Sequence, residues 1–440
     1  MKRSALSAQR VLIAMLLLVA VIERFAWAAR RGWITTAGEA TNVAKSIAQG
    51  RGFADAYFIG SGPTAHLMPT TPLLAGGVYR LFGINVTSEI ILQMIASAEM
   101  VISYILLNVL FTRLGMTLIL RLVAFAVLCI LPIFLGQESL DYRYWEGGLA
   151  VMLATACLIV IVDFDVQVHQ PSIGQIAELA SLFALTFFTS PSLGLAIGAC
   201  SIILLFRKPQ WRHRIGMAGI AVTALAIILA PWVIRNDRVL GKPILLRSNV
   251  PLELTIANND RQAAQASKQA FDASMSAVHP TAIGPGQRRV RQIGEVAYMA
   301  ELSRLTDAWI KQHPVRFAAL CIRHARQMFF PDAFQFEIGS GSFSRVRATW
   351  YSLISALGLA ALACRTYQRK VGYFYILLTV AIVTVTYIPF QPMARYLYLN
   401  YGLLLFCTLD SLGMLVRRTG LSSSGRSGAA RSLRRNLLWR

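Results

Sequence analysis

Charge, and acidic charge above all, is what this 440-residue chain has least of. It holds 21 Asp and Glu against 43 Lys and Arg, and charged residues of both signs make up 15% of the total. A soluble globular chain carries roughly 25% charged residues, so an ordinary soluble enzyme is excluded. A disordered or basic-tail protein would be charge-rich and apolar-poor, whereas 55% of this chain is hydrophobic. Cysteine is also sparse. Cys129, Cys157, Cys200, Cys364 and Cys407 sit inside apolar stretches, where a thiol behaves as a small hydrophobe. Cys321 lies alone in a more polar region, and no C-x-x-C occurs, so the cysteines form neither a disulfide framework nor a zinc site. The phosphate-binding G-x-x-x-x-G-K-[ST] loop, the G-x-S-x-G elbow and the H-E-x-x-H helix are all missing, which removes NTPase, hydrolase and zinc-protease readings. No internal repeat supports an inverted-repeat transporter.

What the chain does have is long apolar runs. A bilayer-crossing helix needs about 20 mostly apolar residues, and ten stretches are candidates: 11–29, 88–111, 116–136, 146–162, 174–190, 192–206, 215–234, 348–364, 371–388 and 399–416. The first has a rival reading as a cleavable signal peptide ending at Ala26-Trp27-Ala28, but Glu23, Arg24 and Trp27 suit a retained anchor better. Short Lys/Arg-rich segments occur at Met1–Arg10, Arg207–Arg214, Arg365–Lys370 and Arg417–Arg440. With ten spans all four fall on one side, the cytoplasmic side by the positive-inside rule, and both termini lie there. Most of the net charge of +22 therefore orients the chain in its membrane and does not mark a nucleic-acid partner.

The expected fold is an all-α polytopic membrane protein of about ten transmembrane helices. Residues 1–235 form a membrane module that includes a first outer loop over 30–87. Residues 236–347 form an outer helical segment, 348–416 the C-terminal transmembrane helices, and 417–440 a basic, disordered cytoplasmic tail.

The first outer loop is the most informative stretch. Gly38 to Phe53 reads as a short amphipathic helix stopped by Gly50 or Gly52, with Val43 and Ile47 four apart on one face. Glu39 is one of two acids between the first span and Arg80, the other being Asp55. Thr36-x-x-Glu39 has the form of a capping box; the same carboxylate at a membrane boundary can also serve as a general base. Gly60 to Leu74 is dense in Gly and Pro and specifies a rigid, non-helical turn. It carries Thr64 and His66, the latter a candidate metal ligand or phosphate donor, with an ordinary interfacial hydrogen-bonder as the plainer alternative. Pro72 to Phe82 resumes an apolar helix too short to span, a second surface helix.

Gly38-Glu39, Ala44, Ser46, Ala48, Gly50 and Gly52-Phe53, followed by Gly62-Pro63-Thr64-Ala65-His66, Pro69, Pro72-Leu73-Leu74-Ala75 and Leu81-Phe82-Gly83, resemble the first outer loop of a family of bacterial polytopic glycosyltransferases. These belong to the GT-C superfamily of protein O-mannosyltransferases and lipid A aminoarabinose transferases. The resemblance implies a polyprenyl-phosphate-linked sugar as donor and an acid in this loop as the catalytic residue, which maps to Glu39. A Glu stands here where many relatives have Asp.

Further along, Gln137 to Glu146 packs Glu138, Asp141 and Glu146 among Tyr142, Tyr144 and Trp145. The aromatics mark an interface. The acids are candidates to join Glu39 in a divalent-metal site, since hard cations favour clustered carboxylates; ion pairing with Arg143 is the simpler alternative. The Pro231-Trp232-x-Ile234-Arg235-Asn236 signature, followed by Ser248-Asn249 and Asn258-Asn259, again looks like the family. Arg235 can hold a phosphate bidentately or simply snorkel to the interface. Residues 286–331 read as helices lying along the membrane, a scaffold for the acceptor side. Arg395, the one charge in its loop, opens the last span with Tyr396.

The reading that unites these features is an inverting membrane glycosyltransferase of the bacterial inner membrane with its active face periplasmic. Glu39 is the general base, Arg235 and Arg395 hold the donor phosphate, and Thr64, His66, Asp141, Glu146 and Tyr396 are substrate-pocket candidates. The acceptor is a glycan, lipid or protein, and a divalent metal ion is the candidate cofactor. The alternative is a non-catalytic relative, a flippase of lipid-linked sugars or a scaffold. A transporter places ionisable residues mid-span, where Glu99 and Glu178 are the main candidates here.

Overall fold

The structure, a computed structural model, describes residues 2–34, 38–131, 133–167, 171–207, 211–265, 267–336 and 343–418. Among them the chain forms eighteen α-helices: α1 Lys2–Arg31, α2 Glu39–Ala48, α3 Thr70–Phe82, α4 Val86–Arg113, α5 Leu118–Ile130, α6 Leu135–Ser139, α7 Gly147–Val166, α8 Ile173–Thr189, α9 Pro191–Arg207, α10 Trp211–Leu240, α11 Val250–Ala257, α12 Asp260–Ala264, α13 Lys268–Val278, α14 Pro285–Gln312, α15 Pro314–Gln327, α16 Ser344–Tyr367, α17 Val371–Tyr387 and α18 Ala394–Arg418. The only extended pairing among the described residues is an isolated antiparallel bridge between Ala54 and Pro63. The expected tail at 417–440 lies almost wholly outside the described residues.

Each of the ten apolar stretches is helical, but not all are equally long. Six helices are long and apolar enough to cross a membrane, in α1, α4, α7, α10, α16 and α18. The stretch at 116–136 is broken: Leu118–Ile130 and Leu135–Arg143 meet at 65°, and counting that pair as one span makes seven. The intervening sequence contains Pro132, whose ring cannot continue a helical hydrogen-bond ladder. The other three stretches, α8, α9 and α17, are apolar helices of 17 residues, about 25 Å at 1.5 Å per residue against a hydrocarbon core of about 30 Å. By length alone the count among the described residues is thus six or seven where the sequence points to ten. The polytopic, all-helical architecture is as expected.

Helices α16 and α18, α4 and α7, α8 and α10, and α9 and α17 pack side by side. Inside this apolar mass two arginines are matched to carboxylates. The Arg24 guanidinium of α1, 1% exposed, donates to Glu138 from Nε at 3.1 Å and Nη2 at 2.8 Å. It also donates to the carbonyls of Cys129 and Leu128, while Tyr104 of α4 donates to the same Glu138 at 2.7 Å. Arg143 pairs with Glu89 at 2.7 Å, and Tyr79 and Tyr144 each place a hydroxyl on that carboxylate at 2.6 Å. Of the two mid-span acids, Glu178 is exposed and Glu99 is buried beside Gly148.

Removing one member of a buried ion pair leaves an uncompensated charge, at a cost of about 3–5 kcal/mol. Glu138→Ala is therefore expected to lower the thermal midpoint of the purified protein in detergent sharply. A wild-type midpoint would contradict the Arg24–Glu138 tie as a main stabiliser.

Candidate functional site

The site is assembled at the end of the bundle where the first loop meets the segment after α10. Helix α2 starts at Glu39 directly behind Gly38, whose φ of 61° is in the left-handed region that favours glycine. The N-cap makes no side-chain hydrogen bond, and Thr36 of the expected capping box lies outside the described residues. Val43 and Ala44 are fully buried, so this helix is not simply laid on a lipid surface. It packs on α3 so closely that a Cβ at Gly76 would come within 2.8 Å of Ile47. Glu39 is held on that rigid pair, its side chain 13% exposed.

Beyond α2 the chain makes the expected non-helical turn. Asp55, the loop's second acid, accepts the N–H groups of Gly60 at 3.0 Å and Gly62 at 3.2 Å and pairs with Arg51 at 2.6 Å. It organises the turn. Arg235 at the end of α10 donates to the Thr64 carbonyl at 2.6 Å and the Phe53 carbonyl at 2.5 Å and lies over the rings of Phe53 and Trp232. Trp232 donates to the Leu246 carbonyl and Asn236 to that of Ile244. The Pro-Trp-x-Ile-Arg-Asn stretch is thus a clamp that grips the first loop and the chain following α10. The Arg235 guanidinium is engaged with backbone carbonyls.

The clamp sets His66 in place. Its Nε2 lies 3.9 Å from Glu39 Oε1, and His279, just past α13, puts its own Nε2 2.9 Å from the same oxygen. Both rings are buried, and their far nitrogens are held too: Tyr57 Oη lies 3.0 Å from His66 Nδ1, and Thr281 Oγ1 lies 2.7 Å from His279 Nδ1. Burial by itself raises the pKa of Glu39, but the hydrogen bond and charge of His279, with the charge of His66, outweigh it and hold the group at about 2. Burial lowers His66 to about 3 against the pull of Glu39, with the positive charges of His279, Arg247 and Arg395 adding to the effect. Burial also opposes charge on His279, yet the hydrogen bond to Glu39 carries its pKa above the usual value. The three residues offer one ligand atom each within 4.8 Å of one another, a geometry able to hold a metal ion.

A small cavity of about 30 Å³ with a mixed polar and apolar lining lies near this cluster, lined by Trp145, Glu146, Arg247, Arg395 and Tyr396 among others. Arg395 stacks over Trp145 with its guanidinium carbon 4.4 Å from the ring centroid and donates to Tyr396 Oη at 3.2 Å. Arg247 pairs with Glu146 at 2.8 Å. The cavity shares Arg247, Tyr387 and Tyr396 with a mainly apolar groove of about 250 Å³, where Leu195, Leu246, Val250 and Phe390 supply the walls.

Of the residues singled out from sequence, Glu39 and His66 come together, as do Glu146, Arg395 and Tyr396. Thr64 is turned to Glu295, to which its hydroxyl donates. Asp141 lies at the 3-10 turn before α7, within the electrostatic reach of Arg395. The expected carboxylate cluster does not form: Glu138 is taken by Arg24 and Glu146 by Arg247, while Arg143 goes to Glu89. The group with metal-ligand spacing is Glu39, His66 and His279 instead. His279, Arg247 and Glu295 were not foreseen. Histidine is scarce, with six in the chain, but the long polar block carries three of them, His279, His313 and His324, so scarcity alone did not single out His279.

No family model matches the sequence, and no curated protein matches it either. In three dimensions the chain is similar to the crystal structure of the Archaeoglobus fulgidus oligosaccharyltransferase in complex with Zn and sulfate, with a TM-score of 0.52 and 12% identity over 93% of this chain and 50% of that one. Weaker likenesses are to the oligosaccharyltransferase AglB of the same organism with an inhibitory peptide and a dolichol-phosphate (TM-score 0.48, 11% identity, 96% of this chain and 52% of that one) and to ArnT from Cupriavidus metallidurans bound to undecaprenyl phosphate (TM-score 0.37, 12% identity, 94% and 80%). The chain spans about half the length of the two oligosaccharyltransferase chains. At such identity the likeness is one of fold: a polytopic, all-helical membrane protein.

Proposed function

We propose that this protein is a membrane glycosyltransferase that moves a sugar, with inversion, from a polyprenyl-phosphate donor to a glycan, lipid or protein acceptor. The reaction takes place where the first loop meets residues 236–347, on the periplasmic face of a bacterial inner membrane with both chain ends cytoplasmic. The observation that carries the reading is the juxtaposition of a buried Glu–His–His cluster with two arginines at the head of an apolar groove. The fold likeness to an oligosaccharyltransferase and the first-loop motifs support the same class.

Each part has a chemical task. The groove walls Leu195, Leu246, Val250 and Phe390 suit a prenyl tail, and Arg247 and Arg395 face the space where its phosphate would sit. The acceptor oxygen attacks the anomeric carbon from the side opposite the phosphate, and the bond from that carbon to the phosphate oxygen breaks. The departing phosphate gains a negative charge, which preorganised guanidiniums stabilise. The acceptor proton passes to Glu39. His279 occupies Oε1, which leaves Oε2 as the receiving oxygen. A carboxylate so well stabilised is a weak base, so transfer comes late, when the attacking oxygen has grown acidic.

The cluster also fits a divalent cation. One carboxylate and two imidazoles are a common donor set for zinc and its neighbours, and Tyr57 Oη and Thr281 Oγ1 lie within hydrogen-bond reach of the outward nitrogens, where the partners of metal-bound histidines sit. A cation there supplies positive charge for the acceptor oxygen or the donor phosphate.

Glu39→Gln is expected to reduce single-turnover transfer from a panel of undecaprenyl-phosphate sugars in proteoliposomes by about 10²–10⁴-fold, the range of a lost acid–base group. Transfer at the wild-type rate would remove Glu39 from the chemistry and favour the non-catalytic alternative. Arg395→Ala, by contrast, is expected to weaken retention of undecaprenyl phosphate in native mass spectrometry; unaltered retention would place the phosphate elsewhere. Chelation is expected to lower transfer and added Zn²⁺ or Mn²⁺ to restore it, and indifference to both would leave the cluster a purely protonic device.

A further inference from the structure

The turn between α17 and α18 reads Ile388-Pro389-Phe390-Gln391-Pro392-Met393. Pro389 and Pro392 have no N–H to give, and the turn's own backbone bonds lie towards its ends: Phe390 donates to the Tyr387 carbonyl, and the Met393 carbonyl accepts from Tyr396 and Leu397. Its other carbonyls are met from the outer segment. His324 of α15 donates from Nδ1 to the Ile388 carbonyl at 3.0 Å, and Asn258, just past α11, donates from Nδ2 to that of Pro389 at 2.8 Å. Gln335 donates from Nε2 to the Pro392 carbonyl at 2.6 Å, and Gln391 of the turn returns a bond to Gln327 Oε1 at 3.1 Å. All of these side chains are buried.

His324 and Asn258 serve the turn through their N–H groups. A carbonyl only accepts, so the His324 proton sits on Nδ1, and Nε2 has no partner among the described residues. Asn258 gives its amide N–H groups to Leu254 and Pro389, and its Oδ1 is likewise without a partner there. A buried polar atom with no partner is unfavourable, so the N–H bonds are what hold these two side chains in place. What the turn carries shows what the bonds are for. Phe390 walls the apolar groove, and Arg395 faces the small cavity. Tyr387 and Tyr396, one on each side of the turn, stack with ring centroids 4.2 Å apart and line both spaces. The Glu39 cluster is held by other elements, the packing of α2 on α3 and the Arg235 clamp.

We propose that His324 and Asn258 are positioning residues for the lipid-linked donor: by holding the Ile388 and Pro389 carbonyls they fix the turn between α17 and α18, and so set Phe390, Arg395 and Tyr396 where a polyprenyl phosphate is received. The donor half rests on the function proposed above; the fixing of the turn does not. Through these two side chains the outer segment shapes the donor site from behind. Their loss acts on donor affinity and leaves the chemistry at Glu39 as it was.

The test reads the turn and the donor separately. Hydrogen exchange over 387–397, followed by mass spectrometry, is expected to quicken in His324→Phe, which removes the N–H and keeps a ring. It is expected to stay at the wild-type rate in His324→Asn, whose amide can donate from near the position of Nδ1. Exchange over α2 is expected to be the same in wild type and both variants. Unchanged exchange over 387–397 in His324→Phe, or quickening that spreads equally to α2, overturns the proposal. Undecaprenyl phosphate, titrated in native mass spectrometry, is expected to bind about 10-fold more weakly to His324→Phe and to Asn258→Ala, the effect of one lost hydrogen bond. His324→Asn is expected to bind it with wild-type affinity, and single-turnover transfer at saturating donor to keep its rate in every variant. A fall in that rate with donor affinity unaltered, or a His324→Asn protein as weak as His324→Phe, overturns the positioning role. A wild type that retains no undecaprenyl phosphate refutes the donor reading and with it the donor half, while exchange over 387–397 still decides the turn.

Discussion

A charge buried in an apolar interior must be met by an opposite charge or by several hydrogen bonds, because the loss of its water costs several kcal/mol. In a chain with 21 acids and 43 strong bases that requirement governs nearly everything else. Arg24 takes Glu138, Arg143 takes Glu89, and Arg247 takes Glu146. These three acids are committed to separate cations. Arg235 and Arg347 settle on backbone carbonyls instead, while Arg395, also without an ion pair among the described residues, rests on the faces of Trp145 and Tyr396 beside a small cavity and an apolar groove.

The same requirement explains the Glu39 cluster. Glu39 has no lysine or arginine bound to it among the described residues; its partner is His279, with His66 one step further away. Histidine is the one partner that can hold a carboxylate, release it to a substrate, or share it with a metal ion within the ordinary pH range. A guanidinium there would have locked the acid as Arg24 locks Glu138. The first loop can present this cluster because Arg235 and Glu295 grip it from two sides, one through backbone carbonyls and the other through donors at Thr64 and Ala65. Residues that lie far apart in the chain thus share one small volume.

Arg235 is instructive about how far a motif reaches. Its place at the end of α10, next to Trp232 and Asn236, was plain from the sequence, and phosphate binding was the natural chemistry to assign to it. Its guanidinium instead lies on the carbonyls of Phe53 and Thr64, where it sets the loop. Glu138, Asp141 and Glu146 teach the converse. Close spacing in sequence resembled a metal site, yet a bend of 65° after α5 and the cations of α1 and of the chain before α11 draw Glu138 and Glu146 to different partners.

The amino-acid sequence by itself determined the class of the molecule: apolar runs of the right length are helices in any context, and the Gly- and Pro-rich turn after α2 has few other conformations open to it. It also singled out Glu39, because an acid is rare in this chain and its loop is short of others. Tertiary structure alone decided the company Glu39 keeps. His279 and Arg247 come from polar stretches with no periodic pattern, Glu295 comes from a stretch legible only as a helix, and nothing local fixes where their side chains point. The packing of α2 on α3 and the grip of Arg235 on the first loop set Glu39 2.9 Å from His279, while Arg247 goes to Glu146 and Glu295 to Thr64 and Ala65.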